Sequence, residues 1–279
     1  MKISIVIPVY NEADRLAACL EAIGQQIAPA YEVIVVDNNS TDGTPAIARR
    51  FPFVTLLSES RQGVVHARNR GFNTASGDIL GRIDADTIVP PDWTATITEI
   101  FSDHEVDAVS GSVNYYDVAY TEFSGKLDLL FRQQIANGMR EEVFLYGANM
   151  AMRRKLWRQI RSSVCNDGGL HEDFDLAIHA FDESATVVFD RRLRAGISLR
   201  RADSNLRELY DYVMISPRTY AAHGRTCQKH MYPLIVTVLT FHWLIKLLHM
   251  GYDPVSGGFS VRRLFMPVEV RVNPARFVD

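Results

Sequence analysis

Short apolar runs alternate with segments of helical spacing near the start of the chain, and this alternation constrains the fold more than any other feature. The runs are rich in β-branched residues and cover residues 3–9, 33–36, 54–57 and 79–83. Between them, apolar residues recur at helical intervals across residues 16–23, 44–50 and 64–74. Near-continuous apolar strands that alternate with helices are typical of a parallel sheet covered on both faces. The sequence therefore predicts an α/β fold with a Rossmann-like, mixed, mainly parallel sheet.

The pattern becomes mixed after residue 92. We predict helices over residues 93–101, 123–137 and 153–160, a further helix that begins at about residue 172, and strands over residues 106–113 and 187–189. Composition does not shift toward that of a linker before about residue 205. This predicts one domain over residues 1–204, followed by a helical C-terminal extension over residues 205–279.

Bulk properties narrow the classes of function. The formal net charge of −3 gives no indication of a nucleic-acid partner. Cys19, Cys165 and Cys227 are widely spaced and odd in number, so they form neither a metal-binding pair nor a disulfide framework, as expected in a reducing compartment. The first residues enter directly into a strand without the features of a secretory signal. We therefore expect a cytoplasmic protein.

Acidic side chains follow two of the predicted strands. Asp37 ends the second strand, and Asp84 and Asp86 follow the fourth. Residues i and i+2 of an extended chain point to the same side, so Asp84 and Asp86 direct two carboxylates to one place. Ligands of such sheets bind beyond the carboxyl ends of the strands, and hard oxygen donors suit Mg²⁺ or Mn²⁺. The alternative for the acidic pair is a polar surface turn.

Several short motifs occur in a fixed order along the chain. They are Pro8-Val9-Tyr10-Asn11-Glu12, the segment from Asp37 to Gly43, the segment from Gly63 to Asn69, Gly77-Asp78 before Asp84-Ala85-Asp86, and Glu172-Asp173. Their order and spacing closely resemble family 2 glycosyltransferases, which are inverting enzymes with the GT-A fold. The resemblance covers about residues 1–200. It implies a nucleotide-sugar half over about residues 1–115 and an acceptor half over about residues 116–204.

The resemblance also implies roles for individual residues. Asp84 and Asp86 would hold Mn²⁺ or Mg²⁺, with Asp86 as the main metal ligand. The residues implied in binding the nucleotide-diphosphate sugar are Pro8, Tyr10, Glu12, Asp37, Asn39, Arg68, Asp84, Ala85 and Asn149. Asp37 would accept a hydrogen bond from the base, and uridine is favoured, although Asn38 stands where the family usually has a second acid. For Arg68 the alternatives are to neutralise the diphosphate, to organise the acidic pair, or to lie on a solvated helix face.

Inversion requires a base that takes the proton of the acceptor hydroxyl. Glu172-Asp173 matches the acidic pair of the family, and we favour Asp173 as the base with Glu172 as the alternative. These acids could instead complement the dipole at the start of a helix. Asp175 is expected to face elsewhere, because residues i and i+2 of a helix do not share a face.

The processive members of the family carry a Gln-x-x-Arg-Trp block, which this sequence lacks, so we expect transfer of a single sugar. The acceptor is a hydroxyl, with lipid-linked and cell-envelope glycans as candidates. A basic stretch either binds phosphate or forms a solvated face; its members are Arg191, Arg192, Arg194, Arg200 and Arg201. The alternative functions are a nucleotidyltransferase and a non-catalytic, membrane-associated module that binds nucleotide-sugars.

Residues 233–248 are strongly apolar but shorter than the roughly 20 residues of a membrane span. Thr237, Thr240, His242 and Lys246 do not form one clean polar stripe on a helical wheel. A buried hairpin, an interfacial segment and a short span are all compatible with this segment. Basic residues flank it, so we favour attachment to the inner face of the cell membrane. His223, which precedes the segment, is an alternative late metal ligand.

Overall fold

A computed structural model describes residues 1–119, 125–126, 145–166, 169–225, 231–253 and 256–265. The helix predicted over residues 123–137 lies outside the described residues, apart from residues 125–126. The strands of the main sheet are β1 (Ile3–Val9), β2 (Glu32–Asp37), β3 (Val54–Ser58), β4 (Ile79–Arg82), β5 (Ala108–Tyr115), β6 (Met150–Arg153) and β7 (Val187–Ile197). The helices are α1 (Leu16–Gly24), α2 (Thr44–Ala48), α3 (Val64–Thr74), α4 (Trp93–Ile100), α5 (Arg154–Ile160), α6 (Glu172–Asp182), α7 (Leu206–Val213), α8 (Ile215–Ala222) and α9 (Met231–Gly251).

Within the described residues, the seven strands form one sheet in the order β3-β2-β1-β4-β6-β5-β7. Strands β1 to β4 pair in parallel, and β6 runs antiparallel to both β4 and β5. The predicted mixed, mainly parallel sheet is therefore confirmed. The carboxyl ends of β2, β1 and β4 lie side by side, so this edge collects the polar residues that follow these strands.

The alternation of side chains along β1 builds two cores. Ile5 and Ile7 pack with Leu20 of α1 and Trp93 of α4 on one face. Val6 packs on the opposite face, in a cluster that includes residues of α3, α5 and α6. Successive side chains of a strand point to opposite faces, and both faces are covered by helices. This explains why the strand is apolar apart from Ser4, which is buried.

Two strands differ from the prediction. The segment over Met150–Arg153 forms β6 between β4 and β5, and the basic helix starts one residue later than expected. It lacks β-branched residues, so its strand propensity is low, and its pairing with two neighbours determines its conformation. Strand β7 extends to Ile197, well beyond the predicted residue 189. Its exposed charged residues interrupt the apolar pattern that predicts a strand, and such residues are common in strands at the edge of a sheet.

The C-terminal helices pack against the sheet domain. In α9, His242 donates to the carbonyl of Ser204 at 3.0 Å, and Lys246 Nζ donates to the carbonyl of Asp203 at 2.7 Å. Thr237 and Thr240 bond to carbonyl oxygens of their own helix. The four polar residues of α9 therefore have two kinds of partner. His242 and Lys246 face the sheet domain, whereas the hydroxyls of Thr237 and Thr240 bond within the helix.

Candidate active site

A cavity of about 460 Å³ lies at the carboxyl edge of the sheet. Its floor carries Arg82, Asp84 and Asp86 from the end of β4, and one wall carries Glu172 and Asp173 from the start of α6. The remaining wall comes from the C-terminal helices, with Leu209, Tyr212, Ile215, Val238, His242 and Ile245. The two acidic pairs, which are far apart in sequence, therefore face the same cavity.

Arg82 connects these two acidic pairs. Its guanidinium lies 2.9 Å from Glu172 Oε1 and 3.4 Å from Asp84 Oδ1, and it also forms an ion pair with Asp173 Oδ1. The side chain is only 2% exposed. A buried arginine requires carboxylate partners, because an unpaired buried charge is costly. Arg82 therefore sets the distance between β4 and the start of α6.

The sequence motifs predict no role for Arg82. A signal was present, because a charged residue at the end of an apolar strand is seldom buried without a partner. The partners themselves could not be inferred, since Glu172 and Asp173 lie about ninety positions further along the chain.

Arg68 and Gly147 also contact Glu172 and Asp173. Arg68 is fully buried on α3 and donates to the backbone carbonyl of Glu172 at 2.8 Å. The amide of Gly147 donates to Asp173 Oδ2 at 2.8 Å. A Cβ atom at Gly147 would overlap Arg82 and Asp173, so the close approach requires glycine. Its burial excludes a solvated helix face for Arg68, and its bond is to Glu172 of the second acidic pair.

The two neighbouring acids differ in basicity. Burial opposes ionisation of Glu172, but the charges of Arg82, His171 and Arg68 outweigh it and lower the pKa of Glu172 to about 2. Burial raises the pKa of Asp173; the ion pair with Arg82 opposes this shift, and the carboxylate of Glu172 adds to it. Asp173 is therefore the more basic carboxylate of the pair, as a general base requires.

Asp86 is held by a second buried arginine. Arg200 lies 3.0 Å from Asp86 Oδ2 and 2.6 Å from Glu12 Oε1, and all three side chains are less than a tenth exposed. The hydroxyl of Tyr116 donates to the backbone carbonyl of Asp86 at 3.0 Å. Glu12, which follows β1, is therefore linked to Asp86 through Arg200.

The residues at this edge suit a divalent cation. The cavity is lined by both Asp84 and Asp86, which offer hard oxygen donors. These oxygen donors fit Mg²⁺ or Mn²⁺.

The segment after β2 holds a neighbouring loop. The side chain of Asn38 donates to the carbonyls of Glu59 and Arg61 and accepts from the amide of Gly63 at 2.7 Å. Asn39 has a φ of 63° and donates to the carbonyl of Ser60. These bonds position the loop before α3, whose first residues line the cavity. Nucleotide contact by Asn39 stays a prediction, and its amide nitrogen already has protein partners.

Other residues predicted to bind the donor lie at different depths. Asp37 is 7% exposed at the end of β2, which is separated from β4 by β1. Pro8 and Ala85 are buried, and Tyr10 is half-buried beyond the end of β1. Their contacts with a nucleotide stay predictions.

Asn149 has a packing role in this structure. Its side chain is fully buried, donates to the carbonyls of Ser112 and Leu193, and accepts from Trp93 Nε1 at 2.8 Å. These bonds join α4, β5 and β7 beneath the cavity. The structure therefore does not bring the amide of Asn149 to the cavity, and the residue orders the sheet instead.

The basic stretch divides into two parts. Arg191, Arg192 and Arg194 are exposed on β7, where Arg192 pairs with Asp190 at 2.7 Å. Arg201 lines the cavity, and its guanidinium stacks on the ring of Tyr212 at 3.6 Å. The exposed arginines of β7 therefore form a solvated face, whereas phosphate binding by Arg201 stays a prediction.

Comparisons with known proteins agree with this geometry. The family described as glycosyl transferase family 2 matches residues 4–161, more than half of the chain. Glycosyltransferase AglE of Haloferax volcanii is 40% identical over 120 residues, which cover 40% of each chain. The undecaprenyl-phosphate 4-deoxy-4-formamido-L-arabinose transferase of Yersinia pestis is 34% identical over 141 residues, which cover 47% of this chain and 40% of that protein. The match therefore spans well under half the length of these relatives.

A solved structure extends the similarity of fold to most of the chain. The mannosyltransferase PcManGT from Pyrobaculum calidifontis, in complex with GDP-Man and Mn²⁺, has a TM-score of 0.63 and 21% sequence identity. The alignment covers 94% of this chain and 77% of that one.

Proposed function

The chain belongs to glycosyl transferase family 2, and from this premise we propose that it transfers a single sugar from a nucleotide-diphosphate sugar to a hydroxyl acceptor with inversion. One observation carries the proposal: Asp84, Asp86 and Asp173 line the same cavity. An acidic pair that suits a metal and a carboxylate that suits a base thus face one space, as the displacement of a diphosphate by a hydroxyl requires.

Asp173 is the proposed general base. Its raised pKa favours acceptance of the proton of the acceptor hydroxyl as the new glycosidic bond forms. The amide of Gly147 and the guanidinium of Arg82 hold its carboxylate in one orientation. Because Arg82 also contacts Asp84, the base and the donor side of the cavity share one anchor.

Asp84 and Asp86 would hold the divalent ion, Mn²⁺ or Mg²⁺, which when bound would offset the charge of the departing diphosphate. The structure of PcManGT contains Mn²⁺ with its sugar donor, which supports this assignment. Arg201, held by its stacking on Tyr212, is the cavity residue suited to a phosphate group of the donor or the acceptor. UDP-sugars remain the favoured donors.

The acceptor is proposed to be linked to a lipid at the inner face of the membrane. Helix α9 lines the cavity with Val238, His242 and Ile245. By length and composition it could cross a membrane, and only 12% of its most apolar window is buried. Its opposite face exposes large apolar side chains; they are Val236, Phe241, Trp243, Leu244, Leu247 and Leu248. A membrane on that face would place the cavity beside lipid-linked hydroxyls. The relative named for undecaprenyl-phosphate supports a lipid-linked acceptor.

A thermal-shift screen of nucleotide-sugars with and without Mn²⁺ tests the proposal. We expect a rise in Tm with one donor that depends on the metal, because a ligand at about 100 times its Kd stabilises the native state by about 2.7 kcal/mol. The variant Asp86→Ala should lose both the shift and the release of nucleoside diphosphate. Asp14→Ala, a change of an exposed acid near the same edge, is the matched control.

Each alternative predicts a different outcome. Sugar transfer at the wild-type rate by Asp86→Ala would overturn the metal assignment. Release of pyrophosphate from a nucleoside triphosphate would identify a nucleotidyltransferase. Donor binding without any product, for every acceptor offered, would favour the non-catalytic module.

A further inference from the structure

A second group of metal-ligating side chains lies outside the cavity. It comprises Cys165 after α5, Asp175 and His179 on α6, and His223 at the end of α8. One potential ligand atom from each residue lies within 4.8 Å of every other. Asp175 is two residues from Asp173 and points to a different side of α6, whereas Asp175 and His179 are i and i+4 and share a side. Three separate segments therefore meet at this point.

The distances between the ligand atoms are close to those of a tetrahedral site. Asp175 Oδ1 lies 3.1 Å from His223 Nε2 and 3.3 Å from His179 Nε2. Cys165 Sγ lies 3.7 Å from His223 Nε2. Ordinary zinc–ligand bond lengths place neighbouring ligand atoms about 3.3 to 3.8 Å apart in a tetrahedron. Three of the six distances are therefore close to this range; the other three lie within 4.8 Å, so an ion would draw those atoms closer together.

The orientation of the His223 ring suits a metal ligand. Its Nδ1 lies 2.8 Å from the backbone carbonyl of Thr219, which can only accept, so Nδ1 carries a proton. In the neutral imidazole, Nε2 then presents a lone pair to Asp175 Oδ1. A lone pair on Nε2 and one on Oδ1 repel each other at 3.1 Å unless a proton or a metal ion lies between them. A histidine that donates Nδ1–H to a carbonyl and directs Nε2 inward is the usual arrangement of a metal ligand.

Burial makes this arrangement costly without an ion. The side chain of Asp175 is 0% exposed, and its Oδ1 atom has no hydrogen-bond partner. The Nε2 atom of His179 is likewise buried without a hydrogen bond, although it lies near Asp175. A buried polar atom without a partner typically costs about 1–3 kcal/mol. Two such atoms that face the same centre are therefore evidence for a ligand there.

Charge selects the type of ion. The amide of Cys165 donates to Asp175 Oδ2 at 3.0 Å. Although burial opposes it, this bond and the contact with His179 hold the pKa of Asp175 below its ordinary value. A carboxylate, a thiolate and two neutral imidazoles carry two negative charges, which one Zn²⁺ neutralises. Sulfur, nitrogen and oxygen donors in a group of four are characteristic of zinc.

We propose that Cys165, Asp175, His179 and His223 bind one structural zinc ion. The ion would tie the segment after α5 and the end of α8 to α6, the helix that begins with Glu172 and Asp173. Four protein ligands leave no open position for a substrate, so the site would be structural rather than catalytic.

Metal analysis of the full chain, purified without chelators, tests the site. We expect about one zinc per chain in the wild type and its loss in Cys165→Ser and His223→Ala. His104→Ala, which changes an exposed histidine elsewhere, should keep the zinc. Asp86→Ala should also keep it, which separates this site from the one in the cavity. Equal zinc contents in wild type, Cys165→Ser and His223→Ala would overturn the proposal.

Cobalt substitution keeps the proposal testable if the variants fail to fold. After removal of zinc and addition of Co²⁺, the wild type should show the charge-transfer band of a thiolate–cobalt bond and visible bands of tetrahedral cobalt. Cys227→Ser is the matched cysteine control and should keep these bands. Absence of these bands from the wild type would overturn the site. Loss of the bands in Cys227→Ser would overturn the assignment of Cys165 as the thiolate ligand.

Discussion

At the scale of residues, the cavity depends on buried arginines that each join acids from distant parts of the chain. Arg82 contacts Asp84, Glu172 and Asp173, and Arg200 contacts Glu12 and Asp86. Removal of one partner of a buried ion pair commonly costs about 3–5 kcal/mol because the other charge is left uncompensated. These arginines therefore hold the proposed catalytic carboxylates in place, and Arg82 also lowers the pKa of Glu172.

Asp173→Asn tests the proposed base. The change keeps the shape of the side chain but removes its basicity, so we expect kcat to fall by about 10²- to 10⁴-fold. Donor binding should change little, because Asp173 lies on the acceptor side of the proposed reaction. Steady-state kinetics and a donor thermal shift on the same sample separate the two effects.

Glu172→Gln and Glu183→Gln complete this experiment. Glu172 has a pKa of about 2, which makes it a weak base, so its variant should lose less activity than Asp173→Asn. Glu183 is exposed just after the end of α6, and its variant should behave as wild type. A larger loss in Glu172→Gln than in Asp173→Asn would transfer the role of base to Glu172.

At the scale of elements, α9 is attached to the domain through ionisable groups. His249 Nδ1 lies 2.8 Å from Asp203 Oδ1, and its Nε2 lies 3.4 Å from Asp117 Oδ2. Burial opposes the charged form of His249, but hydrogen bonds with Asp117 and Asp203 outweigh it and raise the pKa of His249 to about 9. Protonated His249 therefore helps to fix the helix that lines the cavity.

This attachment should depend on pH. Because the pKa of His249 is raised from 6.5 in the unfolded chain to about 9, its contribution to stability is complete below pH 6.5. The contribution is lost as the pH rises through about 9. The Tm difference between wild type and His249→Gln should therefore shrink over this interval.

The exposed His104 provides the control, since His104→Gln should give a small Tm difference at every pH. A constant Tm difference for His249→Gln across the same interval would contradict the role of its charge.

At the scale of the whole molecule, the cavity lies between a GT-A sheet and a helix with an exposed apolar face. Trp243 is 63% exposed and Phe241 is 51% exposed on α9. Beyond the helix, Val261 is 74% exposed and Phe265 is 85% exposed, next to the basic residue Arg262. Apolar side chains beside basic ones suit the surface of an anionic membrane.

The double variant Phe241→Glu/Trp243→Glu tests this orientation. A charge buried in the membrane is costly, so we expect binding to anionic vesicles to fall by at least about tenfold in a co-sedimentation assay. Turnover of a soluble acceptor analogue should persist, because neither side chain lines the cavity. Phe53→Glu, at an exposed aromatic of the sheet domain, is the matched control. Unchanged binding by the double variant would contradict membrane attachment through this face.

Local patterns predicted the first half of the fold well. The bounds of β1 and α3 are as expected, and those of the other early elements differ by one or two residues. Prediction was weaker where pairing overrides propensity, as in β6, or where an edge strand exposes its charges, as in β7. The division at residue 204 stays a prediction, although α7, α8 and α9 contribute one wall of the cavity.

By itself, the sequence determined the order of strands and helices and the family. It also indicated the acids at the ends of β2 and β4 and at the start of α6. These features are local, since they depend on spacings of two to four residues and on short motifs. The tertiary structure alone decided that Arg82 and Arg200 pair with those acids and that Asn149 belongs to the packing. It also brought Cys165 and His223 to Asp175 and directed one face of α9 into the cavity. Contacts between residues tens of positions apart depend on how whole elements pack, and no local periodicity carries that information.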